Sequence, residues 1–250
     1  MFDKNTRMGT SVRSVVKSIT DLGNILSLAI ALILLSVVWG ILSPYFFTLK
    51  NVMNVLMFAS ILAIRASGLT VAMITGGLDI SQNAIGAVTA LLTALVSLMG
   101  APWWLLIFVV LALGLIMGVI NATLHAVLKI AAIIATLGTM QIFRGTAWLI
   151  KDATVMVRDP VILMLGRGRL FGVVPYVTII AIAILAITYY LLKFTSFGRK
   201  VYMVGGNEHA SYLSGINVNR IKFVAFVISG ITAGIAGFLL SAQVGAALPQ

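Results

Sequence analysis

At 250 residues the chain is 61% hydrophobic and 9% charged, with a mean hydropathy of +1.13, whereas soluble domains run about 45–50% apolar and about 25% charged. That composition excludes an ordinary water-soluble fold. The formal charge of +11 does not mark a nucleic-acid surface, because the basic residues are scattered between apolar stretches rather than gathered on one face, and the lack of cysteine excludes disulfide frameworks and thiolate metal sites.

In chain order, residues 1–22 carry Lys4, Arg7, Arg13 and Lys17 and are predicted to form a cytoplasmic N-terminal segment. The apolar run that follows, 25–42, is longer than a signal-peptide core of about 7–15 residues and lacks a small-residue cleavage pattern. It is therefore predicted to remain as a first span. Further apolar stretches occupy 52–74, 84–99, 103–126, 130–150, 173–192 and 223–240. Each approaches the about 20 residues that cross a hydrocarbon layer of roughly 30 Å. Because a spanning segment must satisfy its own backbone, and no alternating barrel pattern is present, the spans are predicted to be helices. The expectation is an all-α, polytopic bundle of about seven spans forming one membrane domain over 23–250. Short links such as 100–102 imply antiparallel neighbours, and Tyr45, Trp103 and Trp104 fall at span ends, where amphipathic rings favour the interface. With the N-terminus inside, ten basic residues face the cytoplasm: Lys4, Arg7, Arg13, Lys17, Lys129, Lys193, Arg199, Lys200, Arg220 and Lys222. Five face outward, namely Lys50, Lys151, Arg158, Arg167 and Arg169, so the excess places the N-terminus in the cytoplasm.

Several residues break the apolar rule. Arg65 lies in the middle of the second stretch, where a charge costs roughly 2.5–3.5 kcal/mol on insertion scales. It must face protein or water. Asp79 is 14 residues further on, about 21 Å along a helix, so the two cannot pair within one helix. The sequence Thr75-Gly76-Gly77-Leu78-Asp79-Ile80-Ser81 reads first as a hairpin, with glycine ending one helix and Asp79 or Ser81 capping the next, and alternatively as an irregular turn lining a polar cavity. Gly114, Gly118, Asn121 and His125 recur at helical steps on one face, as do Gly230, Gly234, Gly237 and Ser241. Such faces let helices approach closely, while Asn121 and His125 serve either interhelical bonding or the lining of a route. Between the last two spans, 193–222 forms the longest predicted cytoplasmic connection, with Asn207 as N-cap, a short helix over Glu208 to Leu213 and Gly215 as its stop. It reads as a docking element or as a solvated loop.

Three segments resemble the ribose, galactose and xylose type permeases of bacterial ABC importers, within the branched-chain amino acid and ribose permease superfamily. The run from Gly68 to Ser81 is similar to the family's glycine-glycine-isoleucine-aspartate-leucine-serine signature. The run from Ile134 to Gly145 resembles its threonine-leucine-glycine-threonine segment ending in arginine-glycine, and that from Phe197 to Val218 its loop facing the ATPase. The resemblance implies a type II ABC importer permease-like fold in the bacterial inner (plasma) membrane. It implies a subunit that forms the pathway for a monosaccharide delivered by an extracytoplasmic binding protein and driven by a separate ATPase. A second permease copy or homologue would complete the pore; the lipid bilayer is the remaining partner, with no cofactor and no nucleic acid. Translocation candidates are then Arg65, Gly76, Gly77, Asp79, Ser81, Asn121, His125, Thr136, Gly138 and Arg144; ATPase-coupling candidates are Gly205, Asn207, Glu208, Ala210, Leu213 and Gly215. Because sugars are neutral, the lining is expected to be small and polar rather than charged. The chain departs from the family at Gln82 and Asn83, where valine and glycine are usual, and at Arg65, usually apolar. Relatives also continue past the position of Gln250, so a fragmentary subunit is one expectation.

No phosphate-loop sequence is present, so any ATPase must be a partner. Alternatives are a permease for branched-chain amino acids or another small solute, a membrane-embedded hydrolase, and an ion-driven secondary transporter. The hydrolase needs paired carboxylates or an activated nucleophile, yet Asp79 is the one acid between residues 52 and 150. Ion coupling would usually add further intramembrane acids.

Overall fold

The computed structural model describes residues 26, 27 and 29–249. The predicted cytoplasmic segment 1–22 lies outside the described residues. The chain separates into two compact units, Met1–Asn54 and Val55–Gln250. In the first, helix α1 (Ala29–Leu42) leads into a turn that Asn51 closes by donating its side-chain amide to the Phe46 carbonyl at 2.8 Å. Helix α2 (Leu49–Ile74) begins here and continues into the second unit.

The second unit is a helical bundle. Its helices are the rest of α2, α3 (Gln82–Leu98), α4 (Trp103–Ala122), α5 (Ala132–Ile150), α6 (Pro160–Arg167), α7 (Tyr176–Phe194), α8 (Ser196–Gly206), α9 (Glu208–Leu213) and α10 (Val218–Val244). Five described helices are long and apolar enough to cross a membrane: α2, α4 with its extension to Val127, α5, α7 and α10. The other two predicted spans are also helical among the described residues, α1 over Ala29–Leu42 and α3, which is short at 17 residues. For α3 the reason is local: an irregular turn precedes it, and the φ of +81° at Gly100 stops it before Pro102. Ten of its residues are buried, so it is enclosed by protein rather than stretched across lipid.

Helix α10 is the axis of packing, with α4 and α3 against it. The two glycine faces read from the sequence meet, since a side chain at Gly230 would lie 2.5 Å from Gly118 Cα; Gly237 meets α3 instead, where a side chain would lie 2.2 Å from Gly86 Cα. Only glycine permits those backbone approaches. The end of α4 widens into a π-turn over Thr123–Val127, sealed by the Leu128 amide on the Thr123 carbonyl at 2.9 Å.

The opposite ends of α10 carry different devices. At its C-terminus, strand β1 (Val155–Met156) pairs antiparallel with β4 (Ala246–Ala247), and β2 (Arg169–Leu170) pairs with β3 (Val174–Pro175). Asp159 caps α6 through the amides of Val161 and Ile162, with Pro160 in the first turn. Arg167 then donates Nε to the Gln243 carbonyl at 2.8 Å and Nη2 to the Val244 carbonyl at 2.6 Å, satisfying groups that a helix C-terminus leaves open. At the N-terminal end of α10, Val201 and Val204 of α8 pack with Val218 and Ile221.

Candidate functional site

The turn between α2 and α3 is the centre of a buried polar network. Gly76 takes a φ of +87°, and the Gly77 amide returns to the Ala72 carbonyl at 3.1 Å, so α2 ends in a glycine-type stop. Gly77 must also lack a side chain, since a Cβ would fall 2.6 Å from the Phe226 ring. Asp79 is 3% exposed. One carboxylate oxygen accepts from the Ser81 amide at 3.1 Å and the Ser81 hydroxyl at 2.6 Å; the other accepts from the Ser229 hydroxyl at 2.7 Å. A buried charge of this kind persists only when hydrogen-bonded.

The network extends outward from both serines. Asn121 of α4 donates to Ser81 Oγ at 2.7 Å and accepts from Thr139 of α5 at 2.6 Å. Gln82 of α3 donates to Ser229 Oγ of α10 at 2.8 Å and to the Arg65 carbonyl of α2 at 3.3 Å. Thr136 bonds the turn itself, accepting from the Ile80 amide at 3.3 Å and lying 3.1 Å from the Leu78 carbonyl. Five helices are therefore joined to one carboxylate, and the roles of the hydroxyl and amide groups are mutually consistent. That is the condition under which a buried network rigidifies a fold.

The turn is a helix reversal with a glycine stop, yet Ser81 makes no side-chain cap bond to α3; its hydroxyl serves Asp79 instead. His125 lies beside it, with Nδ1 2.9 Å from the Ile130 carbonyl and the ring 4.9 Å from that of Phe226. Its Nε2 is buried without a partner. Thus Asp79, Ser81, Asn121, Thr136, Gly76, Gly77 and His125 gather around the turn. Gly138 does not: it is exposed on α5 with open space around it.

Arg65 and Arg144 are brought together elsewhere. Both line a cavity of about 420 Å³ that runs toward the C-terminal end of α10, with Asn83, Gly86, Ser241 and Leu248 also on its walls. Arg65 donates Nη1 to Asn83 Oδ1. Its partner does come from another helix, as the spacing required, but it is a neutral amide and not Asp79. This cavity carries two basic residues on its walls. The three positions that depart from the family pattern, Arg65, Gln82 and Asn83, are in mutual contact through Arg65.

The coupling candidates form one further cluster. Asn207 caps α9 by accepting from the Ala210 amide at 2.9 Å. Gly215, with a φ of +77°, ends the turn that follows, and Glu208 pairs with Lys222 at 2.6 Å. The predicted short helix is present with its predicted bounds. Ala210 and Leu213 are exposed on it, and so is Tyr212. A side chain at Gly205 would lie 1.8 Å from the Ile74 carbonyl, so the end of α8 rests directly on the end of α2, one residue before the network's turn.

Sequence reasoning missed Thr139 and Ser229 as members of the network, and Arg167 with α6. The Asp159-Pro160 pair was a readable helix-start signal. Ser229 had only its place beside Gly230 to mark it.

The family described as branched-chain amino acid transport system / permease component matches residues 51–250. The ribose import permease protein RbsC of Haemophilus influenzae is 36% identical over 225 residues, covering 88% of this chain and 69% of that protein. RbsC of Bacillus subtilis is 35% identical over 224 residues, covering 88% and 69%. The autoinducer 2 import system permease protein LsrC of Escherichia coli (strain SMS-3-5) is 34% identical over 219 residues, covering 86% and 63%. No solved structure matches. With four-fifths of the chain matched and spanning helices in the fold, the chain belongs to the branched-chain amino acid transport system permease component family: it is a multi-pass membrane transport subunit and not an enzyme.

Proposed function

We propose that this chain is the membrane-spanning permease subunit of an ABC importer for a monosaccharide-sized solute. Cytoplasmic ATPase subunits drive it, an extracytoplasmic binding protein supplies it, and it sits in the inner membrane with its N-terminus in the cytoplasm. The similarity to ribose import permeases supports the solute class. The end bearing α8 and α9 is the cytoplasmic one, because Lys193, Arg199, Lys200, Arg220 and Lys222 cluster around it. At the other end Arg167 is already engaged with two backbone carbonyls, so the outward basic count overstates the free positive charge there.

The observation that carries the reading is the contact of Gly205 with the Ile74 carbonyl. It supports a direct mechanical path. An ATPase that grips α9 through Tyr212 and Leu213 moves α8. That motion arrives at the last residue of α2, and then at the turn whose Asp79 holds α3, α4, α5 and α10 in register. Interfaces with two packings convert a small displacement of this kind into a change of access. A second permease copy completes the pathway, and residues 151–172 receive the binding protein.

The test is co-purification of a cognate ATPase with the full chain, before and after residues 207–215 are replaced by a flexible Gly-Ser linker. Loss of the ATPase with retained membrane insertion is expected. Undiminished capture would remove α9 as the coupling element. ATP-driven uptake in proteoliposomes carrying the permease, its ATPase and its binding protein tests the importer reading as a whole.

A further inference from the structure

We propose that the cavity lined by Arg65 and Arg144 is a transit site for a solute that carries an anionic group, a carboxylated or phosphorylated monosaccharide. The proposal rests on the importer reading and deepens it. Half-buried Arg65 and exposed Arg144 both line one void of about 420 Å³, and no Asp or Glu does. Glu208 is paired with Lys222, on the opposite end of α10. Asp79, the one acid of this part of the chain, is committed to Ser81 and Ser229.

A structural role for Arg65 would look different, and Arg167 shows how. Arg167 spends its guanidinium on two backbone carbonyls at a helix end. Arg65 donates instead to the side chain of Asn83, which itself faces the cavity, while its Nε is buried with no partner. A charge in the middle of a span is costly unless it meets water or an opposite charge. Two like charges on one cavity raise the cost of leaving it empty or filling it with a neutral solute, and lower the cost of an anion. The guanidinium fork also matches carboxylate and phosphate oxygens in bidentate fashion. The size agrees, since 420 Å³ lies at the lower end of small-molecule sites, about 300–1,000 Å³. Asn83 and Ser241 supply hydrogen-bonding groups for sugar hydroxyls.

The experiment uses the purified full chain in lipid nanodiscs, at constant ionic strength, and reads thermal stabilisation against concentration. The probes are D-galacturonate, D-ribose 5-phosphate, D-galactose, D-ribose and sodium sulfate. Half-saturation at least about tenfold lower for one of the two charged sugars than for the neutral ones is expected, and which of them responds identifies the group as carboxylate or phosphate. Arg65→Gln and, independently, Arg144→Gln abolish the preference; Arg65→Lys keeps part of it, as a point charge without the fork. Equal response to neutral and charged sugars, a preference that survives both glutamine variants, or sulfate matching the charged sugars overturns the proposal. ATP-driven uptake by the reconstituted transporter separates the two readings. Import confined to neutral sugars sinks this inference and leaves the permease standing, whereas anion preference without any ATP-driven uptake supports the site and sinks the importer.

Discussion

Helices α7 and α10 have similar apolar compositions and both are long enough to span a membrane, yet 61% of the apolar stretch of α10 is buried inside the protein against 22% for α7. Hydropathy cannot distinguish them. What differs is the distribution of small residues. Helix α10 carries Gly230, Gly234 and Gly237 flanked by Ser229 and Ser241, whereas α7 presents Ile182, Leu185, Ile187 and Tyr190 outward. In lipid, bulk apolarity brings no helices together, and close backbone approach and polar bonds do.

The sharpest way to break this comparison is to put bulk into the seam. Gly237→Val places carbon where Gly86 backbone already stands, and overpacking against backbone is expected to cost more than about 3 kcal/mol. Thermal unfolding in detergent should show no folded species, and a wild-type melting curve would discredit the seam. Asn121→Leu removes the link between Ser81 and Thr139 while preserving volume. About 1–3 kcal/mol is expected from the stranded partners, measured by the same method, and a change below half of that would mean the network is ornamental to stability. Arg167→Met keeps the aliphatic stem but strands two carbonyls of α10. About 1–2 kcal/mol is expected, together with faster proteolysis between residues 155 and 167. Gly138→Ala, on the open face of α5, should be neutral or stabilising by at most about 1 kcal/mol. If it were as damaging as Gly237→Val, exposure would not separate the two kinds of glycine.

Much of this was legible from the residues. The glycine spacing of α4 and α10 predicted the seam because helical periodicity is local information. The cap and stop of α9 were legible for the same reason, Asn207 and Gly215 each acting within a few residues of themselves. The partner of Asp79 was not, because Ser229 stands 150 residues away and nothing in either neighbourhood names the other. The strands escaped notice since two residues cannot display a period. The short span of α3 could not be read from its apolarity, because its enclosure depends on where α4 and α10 fall. Arg65 was recognisable as an anomaly, whereas its company with Arg144 in one cavity required the folded bundle.

The hydrogen bonds around Asp79 have a direction as well as a location. Thr139 points to Asn121, Asn121 to Ser81 and Ser81 to the carboxylate; from the other side Gln82 points to Ser229, and Ser229 to the same carboxylate. Along both of these chains the protons are aimed inward at the Asp79 carboxylate, while the second Gln82 bond runs outward to the Arg65 carbonyl. An amide at position 79 would fit the same space but would offer protons where only acceptors are wanted. The serine facing that amide would accept from it as well as from the side-chain amide already on its oxygen, and its own hydroxyl proton would lose its acceptor. A one-atom change at the hub thus strands one hydroxyl proton in the bundle interior while the outer bonds keep their direction.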